Sequence, residues 1–236
     1  VVFTADPATG YQVKEWKVNS QVVAADDGTG LTYTIESLSA AATVTVEFEK
    51  VTYTLTYTAG ANGSITGDSP QYIKYGEDGS EVTAVPADGY HFVKWSDDVD
   101  TAKRTDENVT ADITVTATFA INEYTVTFKD WEDKTIGEPQ TVEHGKGASA
   151  PDVPARTGYT FTGWDKTFTN VTEDLTVTAQ YSINTHAVTF SVPDGNGSLT
   201  AKVGETAITS GDKVDHFSKV VFTADPATGY QVKEWK

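Results

Sequence analysis

The residues that most often carry enzyme chemistry are present in this sequence, but their spacing does not assemble a site. The four histidines are far apart and show no spacing typical of metal ligands: His91, His144, His186 and His216. Cysteine is absent, and no serine stands in a Gly-x-Ser-x-Gly turn of the kind that exposes a nucleophile. Paired carboxylates for glycoside hydrolysis need a cleft that holds them about 5 to 9.5 Å apart, which small modules rarely form alone. We therefore expect no enzyme activity and no cofactor.

Three acidic loops are the remaining candidates for a metal site. They cover residues 26–30, 96–100 and 194–197, and their carboxylate and carbonyl oxygens are ligands that Ca²⁺ accepts. None of them has the spacing of a twelve-residue calcium loop, so solvated turns are the favoured interpretation. The densest cluster, and therefore the calcium candidate, consists of Asp97, Asp98 and Asp100.

Trp131 is the candidate binding residue. It lies among charged residues in the segment 129–134, near an expected turn. An exposed ring at this place could stack on a sugar or on a partner protein. The alternative is that the ring folds back on its own sheet, and no specific host ligand follows from the sequence.

The charge balance argues against two classes of partner. The chain has 34 acidic and 17 basic residues, which give a formal net charge of −17. Such a surface repels nucleic acid and anionic lipid, so we expect no nucleic-acid partner. No apolar stretch reaches the length of a membrane span, so we expect no membrane insertion in this segment.

Alternation of apolar residues with threonine indicates a mainly β fold. A run of this kind opens each of three segments and another closes it, so that apolar side chains face inward and threonines face outward. The opening runs are 53–57, 124–128 and 186–190, and the closing runs are 42–48, 113–119 and 175–181.

A shared motif lies between the opening and closing runs. Proline and glycine bracket a turn, and a tyrosine and then a tryptophan follow it. We predict that these aromatic residues form the structural core of each module: Tyr11, Trp16, Tyr90, Trp95, Tyr159, Trp164, Tyr230 and Trp235. Asn62-Gly63 and Asn196-Gly197 predict type I′ hairpins between the first two strands, because both central residues of that turn need positive φ.

The two ends of the sequence are copies of each other. Residues 220–236 repeat residues 1–17, a spacing of 219 residues, which indicates a tandem array. Splitting the chain at its repeats gives four parts: 1–50, the C-terminal part of a module; 51–120, a complete module; 121–184, a second complete module; and 185–236, the N-terminal part of the next copy of the first. Each incomplete end would leave an open sheet edge, which predicts head-to-tail self-association between 185–236 of one molecule and 18–50 of another.

The connectors between modules are short and contain neither glycine nor proline. They place the apolar residues Val51, Ile121 and Ile183 between successive strands, where these side chains could pack against the neighbouring modules and limit bending. We therefore expect neighbouring modules to be the partners of each module, joined end to end in an elongated array.

The motifs also carry a family resemblance. The strand 124–128, the signature Gly158-Tyr159-Thr160-Phe161-Thr162-Gly163-Trp164 and the strand 175–179 resemble the Listeria-Bacteroides repeat, also called the internalin B-repeat. The module 51–120 and the split module resemble divergent relatives of it, although Lys94 and Glu15 replace the second glycine of the signature.

That resemblance implies small β-grasp-like modules on Gram-positive surface proteins, without catalytic residues. The expected function is an extracellular stalk or spacer on the bacterial cell surface, secreted or wall-anchored. The alternative is an adhesive module that binds host glycan or protein through exposed aromatic residues and acidic loops.

Overall fold

The chain consists of β-strands, turns and loops and contains no helix. A computed structural model describes all residues, 1–236, and contains 21 strands. The mainly β prediction is confirmed, whereas the narrower β-grasp expectation stays a prediction. The chain divides into two units, Val1–Asn122 and Glu123–Lys236, which are described separately.

The first unit contains twelve strands. Five precede the first connector: β1 (Val2–Thr4), β2 (Tyr11–Val18), β3 (Gln21–Val23), β4 (Thr32–Thr34) and β5 (Val44–Lys50). Seven follow it: β6 (Thr52–Ala59), β7 (Gly63–Thr66), β8 (Gln71–Lys74), β9 (Val82–Pro86), β10 (Tyr90–Trp95), β11 (Lys103–Arg104) and β12 (Ile113–Ile121).

The second unit contains nine strands. Four form the module that begins at residue 123: β13 (Glu123–Lys129), β14 (Gln140–Glu143), β15 (Tyr159–Trp164) and β16 (Leu175–Ile183). Five follow it: β17 (Thr185–Ala187), β18 (Gly197–Val203), β19 (Thr206–Ile208), β20 (Lys213–Asp215) and β21 (Val220–Pro226).

In the module that starts with β6, the first and last strands lie side by side. The main sheet has the order β10-β12-β6-β8, with β6 and β12 parallel, and a second sheet has the order β11-β9-β7. Strand alternation points Leu55, Tyr57 and Val115 inward, where they pack around Trp95. The buried core follows directly from the apolar-threonine pattern.

The module of β13–β16 repeats this arrangement. Its sheet has the order β14-β13-β16-β15, again with the first and last strands parallel. Val126, Phe128 and Val177 are almost fully buried, and Trp164 packs against them. A register shift interrupts β15 between Phe161 and Gly163, and the same irregularity recurs in β2 and β10. A β-bulge at this position is therefore common to the strands β2, β10 and β15.

The predicted hairpins at the Asn-Gly pairs are wrong. β6 pairs with β8 and β12, whereas β7 pairs with β9 in the other sheet, so residues 60–62 form a corner between two sheets. Asn62 has positive φ but Gly63 does not, which excludes a type I′ turn. Gly63 is required for another reason, because a Cβ there would overlap the ring of Phe119. At the second pair, β17 and β18 also lie in different sheets.

The aromatic residues predicted for the core are buried to different degrees. Trp95 and Trp16 are 0% and 4% exposed, and their indole N–H groups donate to the carbonyls of Thr101 and Gly30 at 3.0 and 2.9 Å. Trp164 packs with Phe168. Tyr90 and Tyr159 are half-buried.

Three of the predicted core residues are exposed, contrary to the prediction. Tyr11, Tyr230 and Trp235 are 42%, 58% and 60% exposed. Tyr11 is the first residue of β2, where the strand leaves its turn. Tyr230 and Trp235 lie beyond β21 and pair with no strand, so no sheet covers them.

Candidate functional site: the module junctions

The turn before the tyrosine of each shared motif places a glycine beside the connector to the next module. In the turn of residues 8–11, Tyr11 N–H donates to the carbonyl of Ala8 at 2.9 Å, and Gly10 has φ of +77° at the third position. A positive φ at that position is the requirement of a type II turn, which glycine meets without steric cost. Gly89 and Gly158 adopt the same conformation, with φ of +76° and +78°.

The carbonyl of this glycine accepts a hydrogen bond from the connector at all three places. Val51 N–H donates to Gly10 at 2.9 Å, Asn122 N–H to Gly89 at 2.8 Å, and Asn184 N–H to Gly158 at 2.8 Å. Because the glycine belongs to the preceding module, each bond fixes the start of the connector to that module.

A second hydrogen bond ties the same connector residue to the module that follows. The carbonyl of Val51 accepts from Tyr75 N–H at 2.8 Å, and the carbonyl of Asn184 accepts from His216 N–H at 2.7 Å. Val51 and Asn184 are therefore each hydrogen-bonded to the module before the connector and to the module after it. Neither connector is a free linker.

An aromatic ring of the following module packs on the glycine itself. A Cβ at Gly10 would overlap the ring of Tyr75. A Cβ at Gly158 would lie 2.5 Å from His216 and 2.6 Å from Phe217. Glycine is needed for the positive φ and also for the close approach of the ring. We name this arrangement of glycine, connector residue and ring the junction clamp.

Polar side chains add to the contacts around the clamps. Lys50 forms an ion pair with Glu77 at 3.1 Å. In the second unit, the imidazole rings of His186 and His216 approach within 2.9 Å between Nε2 and Nδ1, and His216 stacks edge-on against Phe217 with ring centroids 4.2 Å apart. An exposed ion pair such as Lys50–Glu77 contributes little to stability, so the backbone hydrogen bonds and the ring contact are the main interactions of the clamp at Gly10.

The three aspartates proposed for calcium have separate surroundings. Asp97 receives two hydrogen bonds at 3.0 Å from Arg104, which hold the pKa of its carboxyl below the usual value. Asp98 pairs with Lys94 at 2.7 Å, and Asp100 is exposed. No group of three or more potential metal-ligating residues is present in residues 1–236. Asp97 and Asp98 serve as ion-pair partners in this arrangement.

Trp131 folds back on its own module. Its ring packs edge-on against Tyr181 with centroids 5.2 Å apart, and the Arg156 guanidinium lies 5.1 Å from its centre. Arg156 also stacks on Tyr159 at 3.6 Å. Of the two interpretations made from the sequence, the packed ring agrees with the structure, although the residue remains half-exposed.

A buried arginine was not identified from the sequence. Arg104 is 9% exposed, lies over the rings of Tyr57 and Trp95, and pairs with both Asp97 and Asp106. Burial raises the pKa of Tyr57, and the hydrogen bond from its hydroxyl to Asp106 at 2.6 Å raises it further. In the sequence, Arg104 stands out only as an arginine between two acidic segments, and this pattern does not predict that its side chain is buried.

The fold and the repeated clamp define a tandem array of small β modules. The model of the divergent InlB B-repeat domain matches residues 1–52, 53–123 and 188–236, and that of the Listeria-Bacteroides repeat domain matches residues 124–191. The chain belongs to the divergent InlB B-repeat domain family. The matched families are repeat domains of surface proteins of Gram-positive bacteria and are not enzyme families.

Parts of two other proteins are similar to this chain. Internalin H of Listeria monocytogenes is 32% identical over 161 residues, which cover 60% of this chain and 28% of internalin H. Tandem SHIRT domains 3-4 of a streptococcal cell surface protein align with 16% identity and a TM-score of 0.23, over 56% of this chain and 98% of theirs. The chain spans about a quarter of the length of the curated relatives it matches. The structure contains no membrane-spanning helix.

Proposed function

We propose that this chain is a structural spacer segment of an extracellular bacterial cell-surface protein, and that it holds a distal domain away from the envelope. The observation that carries the proposal is the junction clamp. A chain of flexibly linked modules would not need a glycine fitted against a ring of the next module. A spacer needs such a contact, because limited bending converts folded modules into reach.

Removal of one ring tests this function. The Tyr75→Ala variant loses the ring that packs on Gly10, while the matched Tyr72→Ala variant loses a ring that is 70% exposed. We expect small-angle X-ray scattering of the unmodified chain to indicate a stiff particle, with a length on the order of 100 Å for one period, reckoned from about 3.3 Å per strand residue. Tyr75→Ala should broaden the distribution of dimensions and Tyr72→Ala should not.

The opposite outcome is equally informative. A compact particle, or one whose dimensions respond identically to both substitutions, would contradict a spacer role. A concentration series is required, because association between molecules would otherwise add to the apparent length.

An adhesive module is the second candidate function. It is favoured by Arg156, whose guanidinium stacks on the ring of Tyr159 and lies over that of Trp131. A guanidinium beside aromatic rings has the chemistry to hold the carboxylate of an acidic sugar. Saturable binding of a sialylated glycan that Trp131→Ala abolishes at unchanged thermal stability would support this candidate, and its absence from the unmodified chain would remove it.

A further inference from the structure

The junction clamp at Gly158 differs from the junction clamp at Gly10 in the chemistry of its ring. The ring that packs on Gly10 is the phenol of Tyr75, whereas Gly158 is covered by the imidazole of His216. A phenol keeps its charge state between about pH 5 and about pH 8, but an imidazole gains a proton within that range. The clamp at Gly158 therefore contains a group that responds to mildly acidic surroundings.

A second imidazole lies against the first. Nε2 of His186, on β17, is 2.9 Å from Nδ1 of His216, and the ring centroids are 5.1 Å apart. The same two positions are in contact in the complete module of β13–β16, where the hydroxyl of Tyr124 lies 3.5 Å from Nδ1 of His144. The contact is thus a feature of the module, and the junction before β17 has histidine at both positions. We name these two residues the histidine pair.

The hydrogen bond within the histidine pair depends on how many protons the two rings carry. When both rings are neutral, one of the facing nitrogens donates and the other accepts. A first added proton leaves one acceptor, so the hydrogen bond persists and becomes charge-assisted. A second proton makes both facing nitrogens donors and places two positive charges side by side. The doubly protonated pair therefore has no hydrogen bond, and its rings repel each other.

The ring of His216 is held in place on other sides, so it cannot simply turn away from this repulsion. It packs on Gly158, and Phe217 packs edge-on against it with ring centroids 4.2 Å apart. The backbone of His216 is itself part of the clamp, because its N–H donates to the carbonyl of Asn184. Movement of this imidazole away from His186 therefore disturbs both the ring contact with Gly158 and the hydrogen bond to the connector.

Positive charge predominates on the elements around the histidine pair. Val214 of β20 lies opposite His186, so strand alternation directs the charged residues on either side of Val214 to the other face of the sheet. The guanidinium of Arg156, in the turn of the preceding module, lies over the ring of Tyr159. The charged residues of these elements are Lys213 and Asp215 on β20, Lys219 after the turn, and Arg156. Three of the four are cations, which disfavours a second proton on the closed pair.

We propose that the junction clamp at Gly158 is a pH-sensitive hinge, closed at neutral pH and opened in mildly acidic surroundings, while the clamp at Gly10 stays closed. An open clamp separates the two imidazoles and binds both protons more readily than a closed clamp does, so acidification favours opening. The proposal rests on the spacer function above, because it concerns the rigidity of the same clamps. Its consequence is a spacer that gains a flexible joint at one defined module boundary.

Amide hydrogen exchange of the whole chain at about pH 7.5 and about pH 5 tests the hinge. Dividing the exchange rate of an unstructured amide at the same pH by each measured rate gives a protection factor that reports opening alone. We expect the protection factor of the Asn184 amide, which donates to Gly158, to fall about 2- to 10-fold on acidification, the range for loss of one hydrogen bond. The protection factor of the Val51 amide, which donates to Gly10, should not change.

Failure of the hinge is distinguishable from failure of the spacer function. Unchanged protection of the Asn184 amide on acidification would overturn the hinge and leave both clamps intact. An equal fall at Asn184 and Val51 would assign the effect to general destabilisation and would also overturn the hinge. Weak protection of both amides already at about pH 7.5 would contradict the clamps themselves, and with them both proposals.

The variant His186→Tyr tests the histidine pair directly. It places at residue 186 the side chain that the two complete modules have there, Tyr53 and Tyr124. Only one imidazole then remains, so the Asn184 amide should keep its protection at about pH 7.5 and no longer lose it at about pH 5. The matched control is His91→Tyr, at an exposed histidine whose Nδ1 lies 2.8 Å from Oδ1 of Asn122, and it should retain the full response.

An NMR titration of the imidazole protons in the unmodified chain provides an independent measurement. Two interacting imidazoles take up their protons in two coupled steps, and both rings report both steps. We expect such biphasic curves for His186 and His216 and a single step for His91. Single, independent steps for His186 and His216 would overturn the proposal.

Discussion

Substitution of the clamp glycine by alanine should open the junction far more than the same substitution at a glycine of equal φ. Gly10 and Gly30 have φ of +77° and +74°, but a Cβ at Gly10 overlaps Tyr75 whereas a Cβ at Gly30 meets nothing within 4 Å. Alanine costs about 1–2 kcal/mol in the left-handed region at either position. At Gly10 the half-buried ring must also leave, which costs about 1 kcal/mol more at the usual free energy of aromatic burial.

Amide hydrogen exchange reports this difference at one residue. Val51 N–H is protected by its bond to Gly10, so its exchange measures opening of the clamp. A loss of about 2–3 kcal/mol should accelerate exchange of the Val51 amide about 30- to 150-fold in Gly10→Ala, at about 1.4 kcal/mol per factor of ten. In Gly30→Ala the strain falls on the loop of residues 26–32, so the Val51 amide should exchange at nearly its original rate. Equal acceleration in both variants would refute the clamp as the cause.

Three further predictions concern stability. Trp95→Ala should lower the free energy of unfolding by about 3–5 kcal/mol in chemical denaturation, because Trp95 is fully buried. Arg104→Met should destabilise by roughly 3 kcal/mol, since it leaves Asp106 without its cation in a mostly buried site, and an unchanged midpoint would contradict that. Hydrogen bonds from Thr32 and Thr29 lower the pKa of Asp27 from 3.8 to about 2. The ionised carboxylate therefore stabilises the loop above pH 4, and this stabilisation is lost as the pH falls towards 2. An NMR titration of the loop should show this transition, and Asp27→Asn should abolish the transition.

The strands and their buried faces could be predicted because burial along a strand depends on local alternation. Leu55, Tyr57 and Val115 occupy every second position of threonine-rich runs, and the structure places them in the core. The turn before Tyr90 could be predicted for the same reason, because the positions of proline and glycine specify it. Long-range pairing was not accessible in the same way. The Asn62-Gly63 pair indicates a turn, but only the approach of Phe119 explains why the chain turns a corner there.

Only the glycine of the junction clamp could be recognised from the sequence. The recurrence of the glycine before Tyr11 and Tyr159 is plain, but its ring partner in each case lies about sixty residues later in the next module. Exposure of Tyr11 and Trp235 was also missed, because the motif is the same in every copy and only the surrounding sheets differ. A repeat motif therefore predicts local shape better than burial.

The parallel pairing of the first and last strands has a consequence for a protein under tension. When the two ends of the module are pulled apart, β6 and β12 are drawn in opposite directions along their shared edge. Five residue pairs, from Leu55 with Ile113 to Ala59 with Ala117, carry this load in shear. Their hydrogen bonds cannot unzip one after another from an end and must yield together. The same sheet order that buries the core thus makes each complete module resistant to stretching along its axis.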